Sequence, residues 1–246
     1  DEEQYRHGCV IHKYPDRALF ISTNSCATFC RYCTRSRIIH KEEINWNEGI
    51  NYIKKHTEIK DVIISGGDAL LISLEKLDYL LNEIKKIDHI EIIRIGTKIP
   101  VVLPYKIDDD LINVLKKYHP LYINIHITNP SELTDDCKNA CNKLINNGFV
   151  LGSQTVLLNG VNDNIETMEK MMRELLKMRI KPYYLYSCDF IEGSSHFRCS
   201  IDKGLEIIKI LRSKLSGMGI PSFIIDTKTR KIPIITNDYN DQIIDY

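Results

Sequence analysis

The alternation of short apolar runs with longer amphipathic segments restricts the fold of this chain more than any other feature of its sequence. The apolar runs are rich in Ile, Val and Tyr, and most are apolar at consecutive positions, as expected of strands that are covered on both faces. Strands that alternate with helical segments indicate repeated strand–helix units around a parallel sheet. We predict strands at residues 18–23, 61–65, 91–96, 121–127, 151–158, 182–187 and 221–226.

The segments between the predicted strands carry the apolar periodicity of helices. Apolar residues recur at spacings of three and four in three of these segments, over residues 74–87, 168–176 and 205–215. Ser73 is the predicted N-cap of the first of these helices. Asn129, Pro130 and Glu132 predict a capped start, with a first-turn proline, for the helix that follows them. Six strand–helix units and a closing strand therefore predict an α/β fold, an open, partial (βα)6-type barrel.

Composition limits the class of protein. With 246 residues, of which 43% are hydrophobic, the chain is long enough for one large core, and we predict a single domain over residues 1–246. The 33 basic and 33 acidic residues balance, which argues against nucleic acid or an anionic membrane as a partner. No apolar run approaches the roughly 18 residues of a membrane span, and the polar start DEEQYRHG is unlike a secretory signal. A cytoplasmic location is therefore expected.

Polar residues follow most of the predicted strands, at the end where the active sites of such barrels lie. They are Cys26, Cys30 and Cys33 after the first strand, Gly66, Gly67 and Asp68 after the second, His126 near the end of the fourth, Asp189 after the sixth and Asp226 at the end of the seventh. Because the carboxyl ends of parallel strands meet on one face of a barrel, we expect these residues to converge on one site.

The stretch CATFCRYC places three cysteines at spacings of four and three, with no fourth cysteine close by. Three thiolates on a 4Fe-4S cluster leave one iron with an open coordination position, where a substrate can bind. A zinc site is a weaker alternative because it requires a fourth ligand, and three buried thiols that only fill space are another. The remaining cysteines are interpreted as packing or surface thiols: Cys9, Cys137, Cys141, Cys188 and Cys199.

The cysteine loop resembles the signature of radical S-adenosylmethionine (SAM) enzymes, and the likeness extends along most of the chain. HKYPDRALFISTNSCATFCRYCTRSR, DVIISGGDALL, EIIRIGTKIPVVLP, GSQTVLLNGVND and KPYYLYSCD resemble the lysine 2,3-aminomutase family, in that order and at similar spacings. The resemblance covers about residues 11–240. An ordered set of five motifs is far more specific than the three cysteines alone.

The resemblance implies a 4Fe-4S cluster whose fourth iron is chelated by SAM. The matching cluster ligands are Cys26, Cys30 and Cys33. The segment that matches the one approaching the amino group of SAM is Ser65, Gly66, Gly67 and Asp68, although a tight strand-to-helix turn explains the two glycines equally well. We place His126 among the cofactor-binding residues of the same face.

The resemblance also implies pyridoxal 5′-phosphate (PLP). Lys231, in RKIP, matches the lysine that forms the Schiff base with this cofactor. The loop before it is shorter than in the family and lacks its glycines, so Lys228 is an alternative. The residues that match the phosphate-binding positions, or lie beside them, are Lys13, Tyr14, Arg17 and Gln154, with Lys13 in place of an arginine.

For the substrate, Arg35 matches the residue that binds the α-carboxylate, and Asp189 and Asp226 match two acids that hold the distal ammonium of lysine. The implied activity is an isomerase reaction that moves the α-amino group of L-lysine to C3 and gives β-lysine. Arginine is an alternative substrate. A PLP-independent radical SAM enzyme that acts on a peptide or RNA, and a non-catalytic iron–sulfur protein, are alternatives of other classes.

The resemblance implies a small-molecule amino acid substrate and a one-electron donor such as flavodoxin or ferredoxin. A homo-oligomer is compatible with it. The chain is expected to lack the N-terminal helical region and the C-terminal tail of the family. Asn164 stands where some relatives carry a cysteine of an intersubunit zinc site, so an oligomer joined by zinc at that position is not expected.

Overall fold

The structure, a computed structural model, describes residues 5–36, 44–227 and 229–235. These residues form a ten-stranded sheet in which the strands pair in chain order. The strands are β1 (Arg6–His7), β2 (Val10–Tyr14), β3 (Arg17–Thr23), β4 (Asp61–Gly66), β5 (Ile92–Thr97), β6 (Leu121–His126), β7 (Val150–Leu157), β8 (Lys181–Ser187), β9 (Ser222–Asp226) and β10 (Lys231–Pro233). The seven predicted strands are confirmed as β3 to β9.

The helices lie in the connections between the parallel strands. They are α1 (Trp46–Lys55), α2 (Leu74–Lys85), the one-turn α3 (Ile99–Val102), α4 (Asp109–Lys116), α5 (Asp135–Asn146), α6 (Ile165–Lys177) and α7 (Ile201–Lys214). Strands β3 to β9 are parallel to one another, and each of their six connections contains one of the longer helices. Among the described residues the outermost strands do not pair with each other, so the predicted open barrel of six strand–helix units is confirmed.

Two antiparallel additions flank the parallel sheet and were not predicted. Strands β1 and β2 extend it before β3, and β10 folds back on β9. No helix in the described part of the chain is both long and apolar enough to cross a membrane.

The pleat of the strands separates a helix-covered face from the barrel interior. The ring of Phe223, in β9, packs directly on Gly204 of α7, so Phe223 marks the helix-covered face. Side chains on neighbouring positions of a strand point to opposite faces. Tyr186 pairs in register with Ile224 in β9, and both therefore face the interior, as does Asp226 two residues further on. On the covered face the strands contribute fully buried residues such as Ile64, Ile95, Ile123 and Ile125.

Two helix ends test the predicted caps. The side chain of Ser73 accepts a hydrogen bond from the amide of Lys76, as predicted for the start of α2. The predicted box of Asn129 and Glu132 does form, but it caps a single 3-10 turn, Pro130–Glu132. Helix α5 starts after it, behind Thr134, so the prediction that the box caps this helix was wrong.

The predicted stripe of the last helix is confirmed. Ile208 and Leu211 are buried, and Leu205 and Leu215 are partly buried and pack against the same core. The interpretation of Cys137 and Cys141 as packing residues is confirmed, since both are fully buried in the core.

Candidate active site

The three cysteines of CATFCRYC lie on the loop that follows β3, at the carboxyl end of the parallel sheet. All three are free thiols and partly buried. The thiol of Cys26 donates to the carbonyl of Thr28 at 2.9 Å, and the amide of Cys33 donates to the carbonyl of Cys30 at 3.0 Å. The loop therefore turns back on itself within a few residues and holds three sulfur donors on one segment.

The charges around the thiols favour a bound cation. Burial raises the pKa of Cys26, a hydrogen bond with the Thr28 backbone lowers it, and the negative charge of Asp68 raises it. Burial likewise raises the pKa of Cys33, while Arg35 lowers it. Thiolates that share one loop repel one another until a metal offsets their charge. Three partly buried thiol donors on one loop fit a 4Fe-4S cluster in which one iron has an open coordination position.

The Gly66–Gly67 turn packs against the backbone of the cysteine loop. The amide of Gly67 donates to the carbonyl of Thr23 at 2.7 Å, and the amide of Asp68 donates to the carbonyl of Ser25 at 2.8 Å. Gly66 has φ +134°, and a Cβ atom on Gly67 would collide with the carbonyl of Ser25. Glycine is required here because the two backbones touch. The turn thus fixes the base of the cysteine loop.

The carboxylate of Asp68 is buried and fully hydrogen-bonded to its surroundings. Asp68 is 3% exposed and accepts hydrogen bonds from the Thr97 hydroxyl (2.6 Å), the Lys98 amide (2.7 Å) and the Leu70 amide (3.2 Å). Burial raises its pKa, and these hydrogen bonds lower it. The side chain thus ties the turn after β4 to the end of β5, and it positions the neighbouring glycines.

Replacement of Asp68 by Ala is expected to lower the free energy of unfolding by about 2–4 kcal/mol, because two buried amides and a buried hydroxyl lose their acceptor. Urea denaturation followed by circular dichroism measures this loss. Asp109→Ala is the control, since Asp109 is exposed in the first turn of α4, and its effect should stay within about 0.5 kcal/mol. Equal losses in the two variants would contradict the assignment.

Residues of the cysteine loop reach across to β4 and β6. Arg35 donates from Nη1 to Ser65 Oγ at 3.0 Å, which joins the predicted carboxylate-binding residue to the predicted SAM-binding segment. The Tyr32 ring stacks on His126, with 5.5 Å between centroids, and its hydroxyl lies 2.7 Å from Thr128 Oγ1. Tyr32 was missed from the sequence because aromatic residues beside cysteines carry no signal of their own.

His126 presents a buried polar atom to this region. Its Nε2 is buried and has no hydrogen-bond partner among the described residues. Burial, together with the positive charges of Lys98 and Arg35, lowers the pKa of His126 to about 3, so the ring is neutral at physiological pH. A buried nitrogen without a partner beside the cysteine loop fits a site that hydrogen-bonds a bound group.

A second group of predicted residues meets around Lys231. Its Nζ lies 2.8 Å from the Tyr186 hydroxyl, and its backbone amide donates to the Tyr14 hydroxyl at 2.6 Å. The Arg17 guanidinium lies 4.0 Å from the centre of the Tyr14 ring. Hydrogen bonds between Thr227 and Arg230 close the short turn that places Lys231 opposite Asp226. Lys228 lies outside the described residues.

This arrangement fits PLP in the chemistry of its donors. The amine of Lys231 points at the interior tyrosines, with Nζ 4.9 Å from the centre of the Tyr186 ring. The Arg17 guanidinium, a group suited to phosphate, lies over the Tyr14 ring and pairs with the Asp16 carboxylate at 3.0 Å. Burial raises the pKa of Tyr186 far above its usual range, so this hydroxyl stays protonated. The repeated tyrosines of KPYYLYS, which interrupt an apolar strand, were the available sequence signal for this lining.

The structure pairs two residues that were given different roles. Lys13 Nζ lies 2.8 Å from Asp226 Oδ1 and 2.6 Å from the Thr227 carbonyl, and the two side chains are 13% and 27% exposed. Lys13 was predicted to bind phosphate and Asp226 the substrate ammonium. The ion pair joins β2 to β9, which lie near opposite edges of the sheet, and together with the Tyr14–Lys231 bond it bridges the open seam of the barrel.

The last two predicted residues lie on β7 and after β8. Gln154 Oε1 accepts a hydrogen bond from the Tyr183 hydroxyl at 3.1 Å, and that hydroxyl accepts one from Asn124 at 2.8 Å. Asp189 lies two residues after β8, where its backbone carbonyl accepts from the amide of Ile191 at 2.9 Å. The other predicted residues form two neighbourhoods, the cysteine loop with β4 and β6, and the Lys231 group at the seam.

A family model described as the radical SAM superfamily matches residues 20–175, which include all three loop cysteines and the Gly66–Gly67 turn. The chain belongs to the radical SAM superfamily. Membership of this superfamily implies a 4Fe-4S cluster and SAM, the two groups that the cysteine loop fits. SuiB of Streptococcus suis, solved bound to S-adenosylmethionine, superposes with a TM-score of 0.60 at 10% identity, over 86% of this chain and 47% of SuiB. At that identity the likeness shows the fold.

Within the radical SAM superfamily, the predicted resemblance is confirmed. An L-lysine 2,3-aminomutase of Methanococcus maripaludis is 48% identical over 237 residues, which cover 93% of this chain and 54% of that protein. A glutamate 2,3-aminomutase of Clostridioides difficile is 44% identical over 231 residues, which cover 91% of this chain and 55% of that protein. The radical SAM chain thus spans about half the length of these relatives, and they differ in the amino acid that they are named for.

Proposed function

We propose that this chain carries the catalytic core of a PLP-dependent lysine 2,3-aminomutase, which moves the α-amino group of L-lysine to C3. The observation that carries the proposal is the position of Lys231. Despite the short loop before it, its amine reaches the tyrosine-lined interior and lies 2.8 Å from Tyr186. The similarity to the Methanococcus protein supports the same reaction.

When bound, the cluster with SAM supplies radical hydrogen abstraction, and PLP supplies stabilisation of the migrating amino group. The ligands for the cluster are Cys26, Cys30 and Cys33, and reduction needs a one-electron donor of the flavodoxin or ferredoxin type. Lys231 is the attachment point for PLP, and Arg17 binds its phosphate. The buried Nε2 of His126 donates or accepts one hydrogen bond at the SAM side of the site.

The substrate is held by charges that the chain places on both sides of the barrel opening. Arg35, oriented by Ser65, binds the α-carboxylate through its guanidinium. Asp226 and Asp189 lie at the carboxyl ends of β9 and β8 and favour a cationic side chain over an acidic one. Because Asp226 is paired with Lys13, the substrate ammonium must share this carboxylate with Lys13 or displace it.

The test is turnover by the anaerobically reconstituted chain supplied with SAM, PLP and dithionite. L-lysine, L-arginine and L-glutamate are offered separately, and β-amino acids are measured by mass spectrometry. We expect β-lysine, and a loss of at least about tenfold in kcat/KM for lysine in Asp226→Asn, with Asp109→Asn unchanged. Turnover of glutamate without lysine would contradict the proposed substrate, and turnover of arginine alone would assign the other cationic amino acid.

A further inference from the structure

A cluster of metal-ligating side chains lies on the outside of the barrel, away from the site described above. His12 in β2, His56 at the end of α1 and Glu58 in the loop to β4 each present one ligand atom, and these atoms lie within 4.8 Å of one another. Lys13, the next residue in β2, points to the interior and Asp226, so His12 faces the opposite way. We propose that this triad, His12–His56–Glu58, binds a divalent zinc ion.

Packing on α1 brings the two histidines together. Tyr52 and His56 are four residues apart and stack with 4.1 Å between centroids. The Tyr52 hydroxyl lies 3.1 Å from His12 Nδ1, and the His7 ring stacks on the same tyrosine at 4.5 Å. A hydrogen bond at one imidazole nitrogen fixes the ring and leaves the other nitrogen for a metal, as around most metal-bound histidines. His12 Nε2 lies 3.3 Å from the Pro15 carbonyl, a longer contact.

The third ligand carries the charge that a cation needs. Glu58 Oε1 lies 2.8 Å from His56 Nδ1. Glutamate carboxylates are ionised at neutral pH, and the Glu58 side chain is exposed. In the metal-free pair a proton holds the two groups together, and a metal ion takes the place of that proton.

The donor set selects the class of metal. Two imidazoles and one carboxylate suit zinc, which binds such groups at about 2.0–2.2 Å and, with three protein ligands, takes a water in the fourth position. Tetrahedral geometry at these lengths separates ligand atoms by roughly 3.3 Å. Triad atoms that lie up to 4.8 Å apart must therefore approach one another, while the 2.8 Å between His56 Nδ1 and Glu58 Oε1 must widen. Glu58 is exposed and His56 partly exposed, which leaves both side chains free to rotate that far. Bound zinc would join β2 to α1.

The experiment must separate the triad from the cluster cysteines, which also bind zinc. Tag-free protein is first reconstituted anaerobically with iron and sulfide, and zinc is then titrated against a chromogenic chelator. We expect about one zinc per chain beyond the cluster iron. His56→Gln and Glu58→Gln are expected to weaken zinc binding by more than about tenfold, while His119→Gln, another surface histidine, leaves it unchanged. Zinc should also raise the melting temperature of the unsubstituted protein and not of the two variants.

Zinc affinity that is unchanged in both His56→Gln and Glu58→Gln would overturn the proposal. The same holds if zinc uptake disappears in Cys26→Ser and persists in His56→Gln, because the metal would then be held by the cysteine loop. Circular dichroism of each variant without zinc checks that its fold is intact. None of these readouts depends on aminomutase activity.

Discussion

A Cys30→Ser variant is expected to lose its iron–sulfur chromophore and to cleave SAM at least about a hundredfold more slowly. The three loop thiols are the whole protein donor set on this segment, and a hydroxyl is a far poorer ligand for iron. The measurement combines iron content after reconstitution with the yield of 5′-deoxyadenosine on reduction with dithionite.

Cys199→Ser is the matched control for this prediction. Cys199 is a free, partly buried thiol outside the loop, and burial raises its pKa to about 11, so it stays protonated under reconstitution conditions. Its iron content and SAM cleavage should equal those of the unsubstituted chain. Full iron content in Cys30→Ser would show that the cluster is held elsewhere.

Borohydride reduction of the PLP-loaded protein is expected to leave a phosphopyridoxyl group on Lys231. The reason is positional, because the Lys231 amine lies in the aromatic interior beside Tyr186 and its backbone is held by Tyr14. Lys231→Ala should abolish the label and bring β-lysine formation below detection. Lys228→Ala should retain both. Peptide mapping by mass spectrometry locates the modified residue.

Two results would change the interpretation. A label on Lys228 would move the attachment point by three residues along the turn. Absence of any specific label, in protein that holds the cluster and cleaves SAM, would favour a PLP-independent radical enzyme that acts on a peptide or RNA. The second result would leave the radical SAM assignment intact and would reject the proposed aminomutase reaction.

Sequence reasoning located the parallel sheet well because its physical cause is local. A strand that is buried on both faces is apolar at consecutive positions, and β4 and β9 show this most clearly among the seven parallel strands. The flanking strands were missed for the converse reason. RH and VIHKY carry polar residues and are short, and they become strands only by pairing with one another and with β3.

The site was predictable in its residue types and not in its pairings. CATFCRYC predicts three thiol ligands within eight residues. The contact between Lys13 and Asp226 joins residues 213 positions apart, and nothing in the sequence near either one indicates it. Asn129 and Glu132 illustrate the intermediate case. Their spacing correctly predicted a capping box, but only the structure shows that one short turn uses it before α5 begins.

The way the barrel is bridged between β2 and β9 has a mechanical consequence. Elsewhere along the sheet, separating two strands breaks a ladder of backbone hydrogen bonds. At this edge the described contacts all involve a side chain of β2, the ammonium of Lys13 or the hydroxyl of Tyr14. The seam between β2 and β9 is therefore the place where the barrel opens most easily. A cationic molecule that competed with Lys13 for Asp226 would remove one of these contacts.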